Sequence, residues 1–445
     1  MSESGARHLL FIGGGLDLPV RARSLRPDLR TSVICRREVL SHLVEPEKIE
    51  RLIVLRSDAA VEEWVAAARF IHQADPVDRV FNFTDKDTDK TVAIGAALGL
   101  PTPAADTYRL IAHKLDMRWR LSQRGVDDTQ AQLAESAHDV AAFAERVGFP
   151  VICKPVQGVG SRGVTRIDSN ADIDAALAWG AEAVKSLDRR ELMVEQFHRG
   201  VEFSVECLSE RGRHVVACIT RKISEREHFV ELGHVLPAPL GDTARKRIES
   251  VVADMLDALG VTDGVTHTEV IDTGDAVRIV ETHLRPAGDE IPYMLEKASG
   301  IDLIDALARQ SAGLPALDMV IGRLESAEPN RCAAIWYVCP PTAGEIRDIE
   351  GLEEARALPG VCEVSVLRGV GEQLTGLSAS AARAAYAWAV GSSPQEALER
   401  ARAAAERLAF TVSVSGLPAV PADLDLGGDV PNGEVAVPKG ELRTS

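Results

Sequence analysis

Apolar residues in the first hundred positions alternate between short continuous runs and helical spacing. The runs HLLFIGG, TSVICR, RLIVL and RVFNF have the length of buried strands, and stretches 60–73 and 88–98 have the period of helices. Strands that alternate with helices predict an α/β layer built on a parallel sheet. The proline-containing segment LGLPTPAAD, around Pro101 and Pro103, is the first predicted boundary.

Beyond this boundary the pattern predicts α+β units. Residues 107–147 have a helical pattern, and PVICKPVQGVGSRGVTRI predicts a strand, a Gly-rich loop and a second strand. Further predicted elements are a helix at 171–186, strands LMVEQF, VEFSVECL, 214–222, 264–272 and 276–283, helices at 241–259 and 301–312, strands AAIWYV and EVSVLR, and a helix SPQEALERARAAAERLA capped by Ser393 with Glu396 three residues on. No internal repeat is visible.

We therefore expect a multidomain α/β and α+β protein. The first predicted unit, 1–104, is an N-terminal parallel α/β domain, and the second, 105–213, contains the Gly-rich loop. The third, 214–325, is a further block of strands and helices, and the fourth, 326–414, is a C-terminal lobe. The last, 415–445, is a disordered tail rich in Pro, Gly and Asp.

Composition narrows the class of protein. The formal net charge of −17 over 445 residues argues against a general nucleic-acid or anionic-membrane surface. The seven cysteines form no CxxC pair and no metal-binding spacing, which predicts reduced and mostly buried thiols. The first apolar run is too short for a signal peptide, and no window reaches the roughly 18 apolar residues of a membrane span. We expect a cytoplasmic protein.

The segment EVIDTGDAVRIVETHLRPAGDEI carries the strongest chemical signal. The turn residues Thr273 to Asp275 between two β-type runs predict a hairpin that brings Glu269 and Glu281 together. Two neighbouring carboxylates repel unless a cation lies between them, and oxygen ligands suit Mg²⁺. Arg285 follows four residues later and has the planar fork that binds carboxylates and phosphates. An exposed hairpin with a salt bridge is the alternative.

Two Gly clusters invite a phosphate-binding interpretation. The first cluster is Gly13 to Gly15, and with Arg36 and Arg37 at the end of the second strand it would suggest an NAD(P) site. The spacing does not match GxGxxG, so a tight strand-to-helix turn explains these glycines better. The second cluster, GVGSRGV at 158–164, follows Lys154 at the end of a buried strand, and its backbone N–H groups can fold over phosphates. A plain hairpin with glycines in its turn remains the alternative.

The segment MVEQFHRGVEFSVE joins two predicted strands. Glu195 to His198 leave the first strand, where their backbone groups can meet a purine edge, and Glu202 begins the next, where its carboxylate can accept ribose hydroxyls. An exposed strand carboxylate explains Glu202 equally well on local evidence.

The order of these motifs along the chain resembles the ATP-grasp superfamily, and most closely its L-amino acid ligase group. The resemblance covers about residues 1–412 and rests on GVGSRGV, EQFHRGVEFSVE, EHFVELGHVLPAPL and ETHLRPAGDEIP. It implies two α+β lobes that clasp ATP. It also implies roles for individual residues: ATP binding by Lys114, Lys154, Gly160, Ser161, Glu195, Gln196, Phe197, His198 and Glu202; metal binding by Glu269 and Glu281; substrate binding by Glu231, His234, His267, Arg285 and Gly288; catalysis by Arg285 and His234. A pocket wall that includes Pro286 and Tyr293 is expected. The alternative for His234 is a structural histidine near a turn, with its ring nitrogens hydrogen bonded inside the protein.

Two positions depart from the superfamily pattern. His283 stands where a third magnesium ligand, Asn, is usual, and imidazole is a poor partner for hard Mg²⁺. His283 is then an outer contact, or the site favours Mn²⁺, or only the two carboxylates bind metal. The usual double glycine after the arginine is Ala287-Gly288.

The resemblance implies a ligase that uses ATP to activate a carboxylate as an acyl phosphate, which an amine then attacks. The expected cofactors are ATP and Mg²⁺ or Mn²⁺, and the expected partners are small molecules, an amino acid and an amine; a homodimer is an open alternative. Rival functions are a ligase for a non-amino-acid amine, an ATP-grasp carboxylase of a small metabolite, a catalytically silent nucleotide-binding protein and a pyridine-nucleotide dehydrogenase. No nucleophile pattern of the Ser/His/Asp or Cys/His type is visible in the sequence.

Overall fold

The computed structural model of the chain describes residues 7–15, 17–82, 84–158, 160–185, 190–225, 229–326, 331–374 and 382–413. The predicted disordered tail at 415–445, Val159 in the Gly-rich loop, and Glu227 and His228 of a quoted motif lie outside these residues.

The N-terminal domain is the predicted parallel α/β layer. Its four-stranded sheet has the order β3-β2-β1-β4, all strands parallel. Its elements are β1 (His8–Ile12), α1 (Leu18–Leu25), β2 (Arg30–Arg36), β3 (Arg51–Leu55), α2 (Val61–Ala74), β4 (Arg79–Asn82) and α3 (Thr88–Leu98). Gly13, Gly14 and Gly15 all have positive φ between β1 and α1, as a tight strand-to-helix turn requires.

The next region contains a small four-stranded sheet of order β5-β8-β6-β7. Its elements are α4 (Ala105–Ala112), α5 (Lys114–Gln123), β5 (Ala131–Leu133), α6 (Ala137–Val147), β6 (Val151–Pro155), β7 (Thr165–Ile167), α7 (Ile173–Val184) and β8 (Leu192–Gln196). The helical pattern expected over 107–147 is interrupted twice: by His113, whose side chain caps α5, and by β5, which is too short for alternation to show.

An eight-stranded antiparallel sheet is the largest layer of the described chain, with the order β13-β12-β9-β10-β11-β14-β18-β16. The strands and helices from here on are β9 (Val201–Glu210), β10 (Arg213–Ser224), β11 (Glu231–Leu236), α8 (Asp242–Leu259), β12 (Gly264–Asp272), β13 (Val277–His283), α9 (Ile291–Ser299), α10 (Leu303–Ser311), α11 (Leu317–Ser326), β14 (Cys332–Val338), β15 (Gly344–Glu350), α12 (Leu352–Arg356), β16 (Val361–Val366), β17 (Gln373–Leu374), β18 (Ala385–Gly391), α13 (Pro394–Ala405) and β19 (Ala409–Ser413).

This sheet runs across the boundaries expected at 213 and 325. Strand β9 comes from the second expected unit, β10 to β13 mainly from the third, and β14, β16 and β18 from the fourth. The pairing of β11 with β14 joins segments about 100 residues apart, which local patterns cannot reveal. One face of the sheet packs on α8 and the α4–α5 region, and the other on α9 to α11 and the N-terminal domain.

Other details agree with the sequence. Ser393 accepts a hydrogen bond from the backbone N–H of Glu396 at the start of α13. All seven cysteines are free, and five of them are buried. Within the described residues, no helix is both long and apolar enough to cross a bilayer.

Gly351 offers a test of the C-terminal packing. It has φ of +85°, and a Cβ there would lie 1.8 Å from the carbonyl oxygen of Arg407. We expect Gly351→Ala to lower the free energy of unfolding by about 2 to 5 kcal/mol, from the left-handed strain and the overpacking together. Gly125 has φ of +68° with open space around it, so Gly125→Ala should cost only about 1 to 2 kcal/mol. Equal urea midpoints for the two variants would contradict this packing.

Candidate active site

A cleft lies between the small sheet and the end of the large sheet. Its walls come from α5, β6, the Gly-rich loop, β8, β9, β12 and β13. It is lined by Lys114, Arg118, Ile152, Lys154, Pro155, Gly158, Gly160, Ser161, Arg162, Val164, Glu195, Gln196, Phe197, His198, Glu202, Phe229, Glu269, Ile271, Arg278, Ile279, Val280 and Glu281. The structure thus brings together the residues predicted to bind ATP with the two carboxylates of the hairpin.

Lys154 is held at the floor of the cleft by a buried ion-pair network. Its Nζ lies 2.5 Å from Oε1 of Glu195, and Nη2 of Arg118 lies 3.0 Å from Oε2 of the same carboxylate. Burial alone would raise the pKa of Glu195, but the charges of Arg118 and Lys154 hold it below the ordinary value. The carboxylate of Glu195 therefore fixes the lysine, and no motif in the sequence predicted the role of Arg118.

The connection from Glu195 to Glu202 forms one wall of the cleft. Nε2 of His198 lies 2.8 Å from the hydroxyl of Thr129, and the guanidinium of Arg166 lies 5.0 Å from the ring centroid of Phe197. These contacts fix two side chains of the connection at this wall of the cleft.

The Gly-rich loop closes over the cleft from the opposite side. The hydroxyl of Ser161 donates to the carbonyl oxygen of Phe229, and Nζ of Lys114 donates to that of Gly158, both at 3.0 Å. A Cβ at Gly163 would lie 2.5 Å from Cβ of Ala183, so this position requires glycine. The loop is thus tied to the large sheet and to α5.

The predicted hairpin is present, and Glu269 and Glu281 are cross-strand partners. Each carboxylate already has a lysine: Nζ of Lys222 lies 2.8 Å from Glu269, and Nζ of Lys114 lies 2.9 Å from Glu281. Burial would raise the pKa of both acids, but these cations and the neighbouring histidines lower the pKa of Glu269 to about 2 and that of Glu281 well below its ordinary value. Both are ionised oxygen ligands, a donor type that suits a hard divalent cation.

His283 does not fit the metal-ligand role. Its Nε2 lies 3.0 Å from Glu281 and its Nδ1 lies 3.1 Å from Asp85. Burial would lower the pKa of His283, but the two carboxylates raise it. In the described part of the chain, no group of three or more His, Cys, Asp or Glu residues is arranged to hold a metal ion. The two glutamates have the oxygen donors that suit Mg²⁺, whereas both ring nitrogens of His283 are engaged by carboxylates.

Lys222 is the main residue that the sequence analysis missed. It is buried on β10, and besides Glu269 its Nζ lies 2.7 Å from Glu202 and 3.3 Å from Glu231. Burial would lower the pKa of Lys222, but the three carboxylates raise it well above the ordinary value. A lysine within the strand run ACITRKIS was the only local signal for it.

The predicted amino acid site continues from Lys222 along the large sheet. Nε2 of His234 lies 2.9 Å from Asp289, and Arg383 binds both Asp289 at 2.8 Å and Glu231 at 2.5 Å. The guanidinium of Arg383 also lies 4.0 Å from the ring centroid of Tyr337. Glu231 and His234 are thus linked through Asp289 and Arg383, neither of which the sequence analysis singled out for a role.

None of the predicted substrate residues Glu231, His234, His267, Arg285 and Gly288 is among the residues that line the cleft. Nδ1 of His267 lies 2.8 Å from Glu206 and its Nε2 lies 3.6 Å from Glu269. A Cβ at Gly288 would meet open space. Tyr293 is 46% exposed on α9 and is not among the residues that line the cleft, which does not support its expected place in the pocket wall.

Sequence comparison identifies two matching families. Residues 147–292 match the ATP-grasp domain, and residues 336–413 match the L-amino acid ligase C-terminal domain 2. The chain thus contains an ATP-grasp domain at residues 147–292.

Among curated relatives of this ATP-grasp chain, an uncharacterized protein of Sinorhizobium fredii, y4rH, is 26% identical over 72% of the chain and 70% of that protein. An L-arginine-specific L-amino acid ligase of Bacillus subtilis is 23% identical over 67% of the chain and 71% of the relative. A D-alanine–D-alanine ligase of Phocaeicola vulgatus is 27% identical over 36% of the chain and 51% of its own length. Two of these three relatives are thus named as ligases, and the chain spans about half the length of one of them.

The fold agrees with this assignment. The crystal structure of an L-amino acid ligase from Bacillus licheniformis superposes with a TM-score of 0.75 at 22% identity, covering 92% of the chain and 100% of that structure. A biotin carboxylase from Campylobacter jejuni superposes with a TM-score of 0.65 at 15% identity over 92% of both chains. Both share the fold of this ATP-grasp chain.

The N-terminal domain of the ATP-grasp chain holds two arrangements that belong to its core. Arg36, considered for a 2′-phosphate, is buried and lies 2.6 Å from Asp87. Nε2 of His8 lies 2.8 Å from Oγ of Ser32 and its Nδ1 lies 3.3 Å from Asp75, a Ser/His/Asp order that the sequence did not reveal. Ser32 and His8 are fully buried, so no substrate reaches this hydroxyl.

Proposed function

We propose that this chain is an ATP-dependent carboxylate–amine ligase that forms an amide or peptide bond through an acyl phosphate, with an amino acid as one substrate. The main support for the proposal is that Lys114, Lys154 and the paired Glu269 and Glu281 all line one cleft. Cations and an ionised carboxylate pair at one end of a cleft suit a triphosphate with a divalent metal.

In this proposal, the side chains act mainly by positioning and by neutralising charge. Lys114 and Lys154 hold phosphate oxygens, the loop through Ser161 excludes water, and the 195–198 connection meets the purine. Glu269 and Glu281 would hold Mg²⁺, which would supply neutralisation of the charge on the phosphates. The γ-phosphoryl passes from ATP to the substrate carboxylate, releasing ADP; the amine then forms the C–N bond and releases phosphate.

The substrate end supports an amino acid. Glu231 and Asp289 are acidic groups near His234, and Arg285 follows on the turn after β13. Acidic groups suit an α-ammonium, and an arginine suits the carboxylate to be activated. The relative from Bacillus subtilis that is L-arginine-specific makes arginine the first amino acid to try.

A catalytically silent nucleotide-binding protein is the second candidate, favoured by His283 in place of a metal ligand. A carboxylase is the third, because biotin carboxylases share the fold. In both cases the amine-dependent step is absent.

The test is a matrix of amino acids, singly and in pairs, scored for ADP release and for condensed product by mass. We expect ADP release that needs one amino acid and one amine, that stops when the metal is chelated, and that yields product in equal amount. Phosphate release with bicarbonate and no amine would favour the carboxylase. ATP binding without turnover across the matrix would favour the silent protein.

A further inference from the structure

Asp85 is an acidic residue of the N-terminal domain that reaches the active site. It follows β4, at the carboxyl edge of the parallel sheet, where loops of such sheets commonly carry functional groups. The loop is braced: Nδ2 of Asn82 donates to the hydroxyl of Thr88 at 3.1 Å, and that hydroxyl donates to the carbonyl oxygen of Thr84 at 3.0 Å. The backbone that carries Asp85 is therefore fixed.

The carboxylate of Asp85 contacts two residues of the hairpin end. Its Oδ2 accepts from Nε of Arg285 at 2.5 Å and lies 3.1 Å from Nδ1 of His283. Burial would raise the pKa of Asp85, but the hydrogen bonds and charges of His283 and Arg285 lower it to about 2. The carboxylate of Asp85 is thus shared between the side chains of Arg285 and His283.

These contacts leave the guanidinium of Arg285 in a defined orientation. Nε is held by Asp85, and Nη1 donates to the carbonyl oxygen of Pro286 at 2.9 Å. Among the residues with described positions, no side chain or backbone group is hydrogen bonded to Nη2, and the Arg285 side chain is 23% exposed. One edge of the fork is therefore fixed while the other remains available to an anion.

We propose that Asp85 is a positioning residue that holds Arg285 so that its free edge meets the developing acyl phosphate. This inference rests on the proposed ligase function. Without Asp85, the long side chain of Arg285 would sample several rotamers, and displacement by about 1 Å can cost on the order of 100-fold in rate. The N-terminal domain then completes the active site rather than only packing beside it.

The test is a double-mutant cycle between Asp85 and Arg285. We expect Asp85→Ala to lower the rate constant of amide formation by about 10- to 100-fold, with KM for ATP within about threefold and the melting temperature nearly unchanged. In an Arg285→Lys background, where the fork is absent, Asp85→Ala should cost less than about threefold. Asp85→Asn, which preserves the shape and one acceptor, should lie between wild type and Asp85→Ala.

The control is Asp58→Ala, which removes a 70% exposed carboxylate of the same domain that pairs with Arg56; we expect wild-type kinetics. An equal loss from Asp85→Ala in the wild-type and Arg285→Lys backgrounds would overturn the inference. Wild-type turnover by Asp85→Ala would also overturn it. A parallel decrease in ATP affinity and in melting temperature in both Asp85 variants would do the same. Absence of amine-dependent turnover in the wild-type protein would instead refute the proposed function.

Discussion

Arg285→Ala is expected to lower the rate of amide formation by roughly 100- to 1,000-fold, equivalent to about 3 to 4 kcal/mol in the barrier. In the proposed mechanism, the arginine faces charge that develops as the phosphoryl group moves to the carboxylate, so its contribution is made mainly in the transition state. Affinity for ATP should stay within about tenfold, because Arg285 is not among the cleft residues proposed to bind the nucleotide.

The measurement is steady-state kinetics of ADP release together with binding of a non-hydrolysable ATP analogue. Arg56→Ala is the matched control, since that arginine is 78% exposed in the N-terminal domain and pairs only with a surface carboxylate. Turnover at the wild-type rate by Arg285→Ala would remove Arg285 from the mechanism.

Lys222→Met should have the largest effect on stability. This substitution removes the cation shared by Glu202, Glu231 and Glu269, and truncating one member of a buried ion network commonly costs about 3 to 5 kcal/mol. Methionine has a similar length, so loss of packing contributes little. Lys185→Met, which removes a 67% exposed lysine, is the control and should be close to neutral.

The pH dependence of Lys222→Met has a defined sign. Without the lysine, burial and mutual repulsion raise the folded-state pKa of the carboxylates above the unfolded value, so the folded variant binds more protons than the unfolded one. Stability of the variant relative to wild type should therefore improve as pH falls from 8 to 5. Urea unfolding at several pH values measures this. If the difference in unfolding free energy between wild type and Lys222→Met stays constant or grows as the pH falls, the carboxylates are not the cause of the destabilisation.

The sequence predicted much of the fold because many elements depend on local patterns. The hairpin of β12 and β13, the turn after β1 and the cap of α13 follow from turn residues, glycine and a serine at the right spacing. Strand β11 was missed because its residues ELGHVL show no alternation, and its partners β10 and β14 are determined by the tertiary fold.

The cleft was predictable where a motif carries its own chemistry, as for Lys154 before the Gly-rich loop. Arg118, Lys222, Asp85 and Arg383 were not, because each acquires its role from partners distant in the sequence. Nothing in a strand lysine or a loop aspartate distinguishes it from a solvated charge until the register and packing are known.

A crystal structure with Mg²⁺ and a non-hydrolysable ATP analogue tests the central claim most directly. We predict the β- and γ-phosphates within hydrogen-bonding distance of Lys114 and Lys154, with metal density bound by Glu269 and Glu281. A triphosphate outside this cleft, or a nucleotide bound there with no metal near the two glutamates, would contradict the account.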